Sequence, residues 1–220
     1  MGIFGFIKSS IGQKYVVATT GLLFALFVLS HVLGNFLIFV GPEAYNMYSY
    51  KLISNPFIIV AEIGLVVLFV VHLAVAIKLT ASNMVARPDK YALQAKGKKK
   101  TDPVTKAMWI QGAVIFIFMV SHLITFKYGT YYTAEYDGLV VRDLYKLMVE
   151  VFASPLFVVG YVLCMVMLGL HLSHGIQSAL KTFGFNHPQY EAKVRTVGLG
   201  VALIVSLGFI AQPVYIFFFQ

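Results

Sequence analysis

The sequence predicts an all-α integral membrane protein with five transmembrane helices. Two observations predict this fold class: a shortage of charged residues and five long apolar segments. Of the 220 residues, 59% are hydrophobic and 12% are charged, whereas soluble domains carry about 25% charged residues. The mean hydropathy is +0.82. These values exclude a soluble globular protein and a disordered chain. The net charge of +8 does not indicate a nucleic-acid-binding protein, because the basic residues lie in loops between apolar runs.

A membrane-spanning helix needs about 20 apolar residues to cross roughly 30 Å of hydrocarbon. Five segments meet that length, and they are 15–40, 56–80, 107–127, 155–180 and 197–219. The first carries no Asp, Glu, Lys or Arg, and the second carries one charged residue in its apolar part, Glu62. We therefore expect 1–220 to form a single transmembrane domain.

The loop charges predict the orientation of the chain. Most Lys and Arg residues lie in the N-terminal segment, the basic loop 87–106 and the loop 181–195. The loops on the other side carry fewer basic residues, which are Lys51, Lys127, Arg142 and Lys146. The positive-inside rule therefore predicts a cytoplasmic N-terminus, a cytoplasmic 87–106 loop and a C-terminus outside.

The cysteine count limits the cofactor chemistry. The one cysteine, Cys164, lies inside an apolar run. A thiolate-ligated iron–sulfur cluster, a Cys-rich zinc site, a C-x-x-C-H haem attachment and an internal disulfide are therefore excluded.

Five of the six histidines lie inside the predicted spans, where an ionisable side chain is costly and points to function. The first and third spans share a pattern, since Gly21 and Gly112 are each followed, after eight residues, by Ser-His. The histidines of that pattern are His31 and His122. The first and third spans therefore look like copies of one unit.

The second and fourth spans share another pattern. Each begins with a polar residue and a proline, and a histidine stands 16 positions after that proline, at His72 and at His171. This comparison selects His171, rather than His174, as the equivalent of His72. The chain therefore reads as two copies of a helix pair followed by a fifth helix.

The depth of each histidine follows from the helical rise. His31 and His122 are expected near the outer face, and His72 and His171 near the inner face, with the two levels roughly 15–20 Å apart. Four antiparallel helices can hold cofactors between facing side chains. Two facing imidazoles are the ligand set of a b-type haem, whereas zinc would find only two nitrogens at each level. We therefore predict a haem-binding bundle of four helices with two haem b groups.

Several short motifs resemble one known family over essentially the whole chain. These motifs are SSIG at 9–12, SHVLGN at 30–35, GPEAYN at 41–46, Glu62 ten residues before His72, and HLSHG at 171–175. The chain resembles the five-helix, di-haem cytochrome b anchor subunit of succinate dehydrogenase and menaquinol:fumarate reductase.

The resemblance implies a respiratory-chain subunit in the bacterial cytoplasmic membrane. A flavoprotein subunit with covalent FAD and an iron–sulfur subunit would dock on its cytoplasmic side and interconvert succinate and fumarate, so this chain would hold no dicarboxylate active site. The haem on His72 and His171 would face the iron–sulfur subunit, and the haem on His31 and His122 would face menaquinone. His174 would lie near a haem edge or propionate. A dimer of such complexes is compatible with the resemblance.

Oxidation of a quinol releases two protons with two electrons, so the quinone site needs a proton acceptor near the outer haem. Glu62 is the only carboxylate in the five predicted spans, and it lies at about the depth of the outer histidines. A carboxylate in that position suits a proton carrier. Glu43, in the first outer loop, is the second candidate.

Two other functions remain open from the sequence. One is the di-haem cytochrome b subunit of a hydrogenase or formate dehydrogenase, which would share haems and quinone but differ in its partner subunits. The other is a proton-coupled transporter that uses its membrane histidines and Glu62, and it would be colourless.

Overall fold

The computed structural model describes residues 2–86 and 103–220, so most of the predicted basic loop, from 87 to 102, lies outside the described residues. The described chain is helical apart from one two-stranded hairpin. Its elements are α1 (Ile3–Lys8), α2 (Ser10–Asn35) with a 3₁₀ turn (Phe36–Phe39), α3 (Pro42–Ile53), α4 (Ile58–Val85), α5 (Pro103–Lys106), α6 (Met108–His122) with a π-helical turn (Leu123–Lys127), β1 (Thr133–Tyr136), β2 (Leu139–Arg142), α7 (Leu144–Phe152), α8 (Pro155–Thr182) and α9 (Pro188–Phe219).

Among the described residues, five helical segments are long and apolar enough to cross a membrane, which confirms an all-α, multi-pass membrane protein. They are Ser10–Phe39, Ile58–Val85, Met108–Lys127, Pro155–Thr182 and Pro188–Phe219. Each corresponds to one predicted span.

Capping residues explain why two helices begin earlier than their apolar runs. The Ser9 side chain accepts a hydrogen bond from the Gly12 backbone N–H at 3.0 Å, so α2 starts at Ser10 rather than at 15. The fifth helix starts at Pro188 rather than at 197, because the His187 ring accepts a hydrogen bond from the Gln189 N–H and proline suits the first helical position. Caps set helix ends, whereas the apolar run marks only the part that lies in lipid.

Three of the long helices pack around a common core. Helix α2 packs against α4, α8 and α9, α6 packs against α8, and α8 and α9 share the most extensive contact. A cluster of small and branched side chains fills the contact between α2, α8 and α9, and its buried members are Ala25, Val32, Leu172, Ile176, Ala202 and Val205. The Ser206 hydroxyl also donates to the Met165 backbone oxygen at 2.9 Å. The fifth transmembrane helix, α9, thus packs against α8 and α2.

Helix α3, the hairpin and α7 form a cap over one end of the bundle, and we call this the cap end. The Asn46 side chain, which is 0% exposed, joins all three parts. Its amide nitrogen donates to Asp143 and to the Tyr136 hydroxyl, and its oxygen accepts from the Tyr145 backbone N–H. The opposite end, with the N-terminus and α5, is called the N-terminal end.

Candidate cofactor sites in the helix bundle

Helices α2, α4, α6 and α8 surround a cavity of about 2570 Å³. That volume is far above the roughly 300–1,000 Å³ of a pocket for one small ligand. The five histidines within the spans all line it, and these are His31, His72, His122, His171 and His174. The cavity therefore has room for more than one large group, with imidazoles along its walls.

At the cap end, the structure brings His31 and His122 together. Their ring centroids lie 6.1 Å apart and the rings are almost perpendicular, at 86°. Phe27 stacks on His31 at 5.5 Å, and Phe209, from the fifth helix, contacts it at 5.6 Å. His31 from α2 and His122 from α6 thus face each other in apolar surroundings.

Nearer the N-terminal end, His72 of α4 and His171 of α8 each lie beside a glycine of the preceding transmembrane helix, which is α2 for His72 and α6 for His171. A Cβ atom built at Gly21 would lie 3.4 Å from Cε1 of His72, and one built at Gly112 would lie 4.0 Å from Cε1 of His171. The two repeats found in the sequence therefore make the same contact in three dimensions.

The two pairs lie at different depths. Gly21, beside His72, precedes His31 by ten residues on α2, and Gly112, beside His171, precedes His122 by ten residues on α6. At 1.5 Å per residue, ten residues span about 15 Å along the helix axis. The structure thus places one histidine pair about 15 Å below the other.

Hydrogen bonds hold the histidines at the cap end. The Asn35 amide nitrogen lies 3.3 Å from Nδ1 of His31 and donates to the His31 backbone oxygen at 2.8 Å. The Tyr45 hydroxyl donates to Asn35 Oδ1 at 2.9 Å, and burial, with a smaller contribution from Tyr48, raises the pKa of Tyr45 so that this phenol stays protonated. A chain of hydrogen bonds therefore links His31 to the cap.

His122 contacts a tyrosine on the neighbouring helix. The Tyr161 hydroxyl lies 3.5 Å from Nδ1 of His122, and Phe118 and Phe152 pack edge-on against the tyrosine ring at 5.0 and 4.9 Å. The π-helical turn begins directly after His122, and such turns are frequent at functional sites.

His174 also lines the cavity but makes a different contact. Its Nδ1 lies 3.1 Å from the Thr105 hydroxyl of α5, at the N-terminal end. Its neighbour His171 has a buried Nδ1 for which the described residues offer no hydrogen-bond partner.

The spacing of His31 and His122 is compatible with two imidazoles that would hold one haem iron between them. No group of three or more His, Cys, Asp or Glu side chains in the described residues is placed to hold a metal ion. Two imidazoles that bind one iron from opposite sides, each about 2 Å from it, have centroids roughly 6 Å apart. The 6.1 Å between the ring centroids of His31 and His122 is close to that separation.

Glu62 and Lys127 form an ion pair between α4 and α6, and both line the cavity. Their side chains are 47% and 40% exposed. The aromatic rings of Phe69 and Phe116 stack between the same two helices at 5.9 Å. Sequence reasoning missed Lys127 as a partner because it counted this residue only as a loop charge.

Glu43 occupies a different environment. It is exposed in the first turn of α3, next to Pro42, where a carboxylate stabilises the helix N-terminus. It is not among the residues that line the cavity. Of the two candidate carboxylates, the structure brings Glu62 alone to the cavity wall.

No protein-family model, no curated protein and no solved structure matches the chain.

Proposed function

We propose that this chain is the di-haem cytochrome b anchor of a succinate:quinone oxidoreductase or quinol:fumarate reductase. One observation carries the proposal: a single apolar cavity holds two histidine pairs at two depths. Ligand pairs about 15 Å apart along the helix axis suit a protein that passes electrons across a membrane. The motifs that resemble this family span the chain from residue 9 to residue 175.

His31 with His122, and His72 with His171, would each hold one haem b. Bound there, the two haems would supply one-electron transfer between the two faces of the membrane. The protein contributes the imidazole nitrogens and an aromatic wall, to which Phe27 and Phe209 belong at the cap end. That wall makes the surroundings of the site apolar.

The proposal places the N-terminal end of the bundle in the cytoplasm, where the basic loops would lie. A flavoprotein subunit with covalent FAD and an iron–sulfur subunit would dock there, close to the His72 and His171 pair. Basic residues near this end also favour anionic lipid headgroups. The cap end would then face outwards, and menaquinone would react beside His31 and His122.

Glu62 is the group that we propose to accept a proton from the quinol. Its ion pair with Lys127 presents a carboxylate at the cavity wall between α4 and α6. Each oxidised quinol must release two protons, and a carboxylate within hydrogen-bond reach can take one of them. Glu62 lies near the start of α4, so the proton would be released at the cap end.

The first test is the haem content of the full chain purified from membranes. We expect a reduced-minus-oxidised spectrum with b-type bands and a pyridine-haemochrome ratio of two haems per chain. In membranes of the native host, succinate should reduce the haems or fumarate should reoxidise them. Haems that respond to neither dicarboxylate would assign the chain to a different enzyme, and a colourless chain would overturn the proposal.

Replacing Glu62 by glutamine is expected to slow quinol oxidation by about 10²-fold or more, because general acid–base catalysis typically contributes that much. Haem content should stay at two, and the stability change should be small because exposed ion pairs contribute about 0–1 kcal/mol. The measurement is the rate of haem reduction by a menaquinol analogue in membranes that contain the complex.

Glu43→Gln is the matched control, since it makes the same change on an exposed carboxylate outside the cavity. We expect its rate to equal that of the unmodified protein. If Glu43→Gln oxidised quinol slowly and Glu62→Gln oxidised it at the normal rate, the proton acceptor would be Glu43 of α3 and not Glu62.

A further inference from the structure

The hydroxyl of Thr20 lies on α2 beside the His72 ring of α4. Its Oγ1 is 2.9 Å from Nδ1 of His72, and the residue is only 6% exposed. Thr20 is neither a predicted ligand nor a predicted proton carrier. Thr20 thus makes a buried hydrogen bond to a histidine that lines the cavity, and neither predicted role accounts for this contact.

The direction of this hydrogen bond follows from the second contact of the hydroxyl. Oγ1 of Thr20 lies 2.8 Å from the Val16 backbone oxygen and 3.2 Å from that of Val17. A carbonyl oxygen can only accept, so the one hydroxyl hydrogen is donated along α2. The lone pairs of Oγ1 then accept from His72, which requires the proton of the ring to be on Nδ1.

With that proton on Nδ1, Nε2 of His72 keeps its lone pair. A neutral imidazole binds a metal through its unprotonated nitrogen, and the hydrogen bond made by the other nitrogen decides which one that is. Thr20 therefore selects the tautomer of His72 that can bind iron through Nε2.

Gly21, the next residue on α2, fixes the position of the same ring. A Cβ at Gly21 would lie 3.4 Å from Cε1 of His72, so the ring sits in the space that the missing side chain leaves. The second repeat has Gln111, 2% exposed, directly before Gly112, the glycine beside His171. Both repeats thus place a buried polar side chain immediately before the glycine that the histidine contacts.

We propose that Thr20 is a positioning residue that orients His72 and fixes its tautomer for axial ligation of the haem nearer the N-terminal end. The inference rests on the proposed function. It adds a residue that sets how strongly His72 donates to iron, because a hydrogen bond from Nδ1–H raises the basicity of the ligand.

The test compares three variants of the full chain: Thr20→Val, which keeps the shape and removes the hydroxyl, Thr20→Ser, which restores it, and Thr19→Val. Thr19 is the matched control because it is the adjacent threonine and is exposed. The measurements are haem retention, a potentiometric titration of the two haems, and their low-temperature spectra.

For Thr20→Val we expect the midpoint potential of one haem to shift to a more positive value, because a less basic ligand stabilises the ferric state less. Retention of that haem should weaken roughly tenfold or more. The other haem should keep its potential. Thr20→Ser should restore both properties, and Thr19→Val should match the unmodified chain.

A Thr20→Val variant that equals Thr19→Val in potential and retention would overturn the inference while the haems remain. So would equal shifts in both haems, or a failure of serine to restore the potential, since these results indicate general loosening of the bundle. An unmodified chain without haem would overturn the proposed function, and the role of Thr20 with it.

Discussion

Replacing His31 by alanine is expected to halve the haem content, from two haems per chain to one. The pair of His31 and His122 supplies both imidazoles at the cap end, with centroids 6.1 Å apart, so the variant leaves one ligand facing an empty position. His122→Ala should have the same effect for the same reason. The measurement is pyridine-haemochrome quantitation together with a redox titration, which should show one component instead of two.

The other pair should respond independently. His72 lies beside Gly21, about 15 Å along α2 from His31, and mutations at such separations act nearly additively. His72→Ala should therefore remove the second haem and retain the first. The double variant, His31→Ala with His72→Ala, should bind none.

His187→Ala is the matched control, because it removes an imidazole that is exposed at the start of α9. It should retain two haems. Two haems in the His31→Ala variant would contradict the pairing of His31 with His122. Loss of both haems in every single variant would show that the bundle, rather than one ligand, had failed.

The transmembrane helices and the grouping of histidines could be predicted because both depend on local regularities. An apolar run of sufficient length specifies a span, and the fixed rise of a helix converts the ten residues between Gly21 and His31 into a depth. The repeated spacing of Gly112 and His122 identified the equivalent helix. None of these steps requires knowledge of which helices are neighbours.

The cap could not be predicted in the same way, because its helices and strands are too short to be recognised as membrane spans. The hairpin was missed although Asp137 and Gly138, both with positive φ, form the Asp-Gly turn that typically joins two strands. The role of Asn46 depends on three segments that meet only in the folded chain. Hydropathy carries no information about such contacts.

The hydrogen-bonding partners of the histidines were missed for a related reason. Thr20 and Tyr161 lie on helices next to those of the histidines they contact, so their roles depend on the rotation of each helix about its axis. The fifth helix was predicted only as a span, yet it places Phe209 against His31. Rotations of this kind are set by side-chain packing across the bundle.

The second large effect is expected in α8, where two histidines stand three residues apart. His171→Ala should remove the haem at the N-terminal end, whereas His174→Ala should retain both haems. Three residues along a helix correspond to about 4.5 Å of rise and about 60° of rotation, so the two rings cannot occupy the same position. The measurement is the number of haems per chain in each variant.

The contacts of the two rings favour His171 as the ligand. His171 lies beside Gly112, as His72 lies beside Gly21, which is the equivalence that the repeat predicts. Nδ1 of His174 instead lies 3.1 Å from the Thr105 hydroxyl of α5, which holds that ring at the N-terminal end of the cavity. Removing His174 should therefore change the surroundings of the haem rather than its iron ligation.

The pair of variants also tests the internal repeat, since each is the control of the other. If His174→Ala removed one haem and His171→Ala retained both, the equivalence of His72 and His171 would be wrong in the fourth span. The ligand would then lie one turn closer to the N-terminal end, and the two haems would be further apart along the membrane normal.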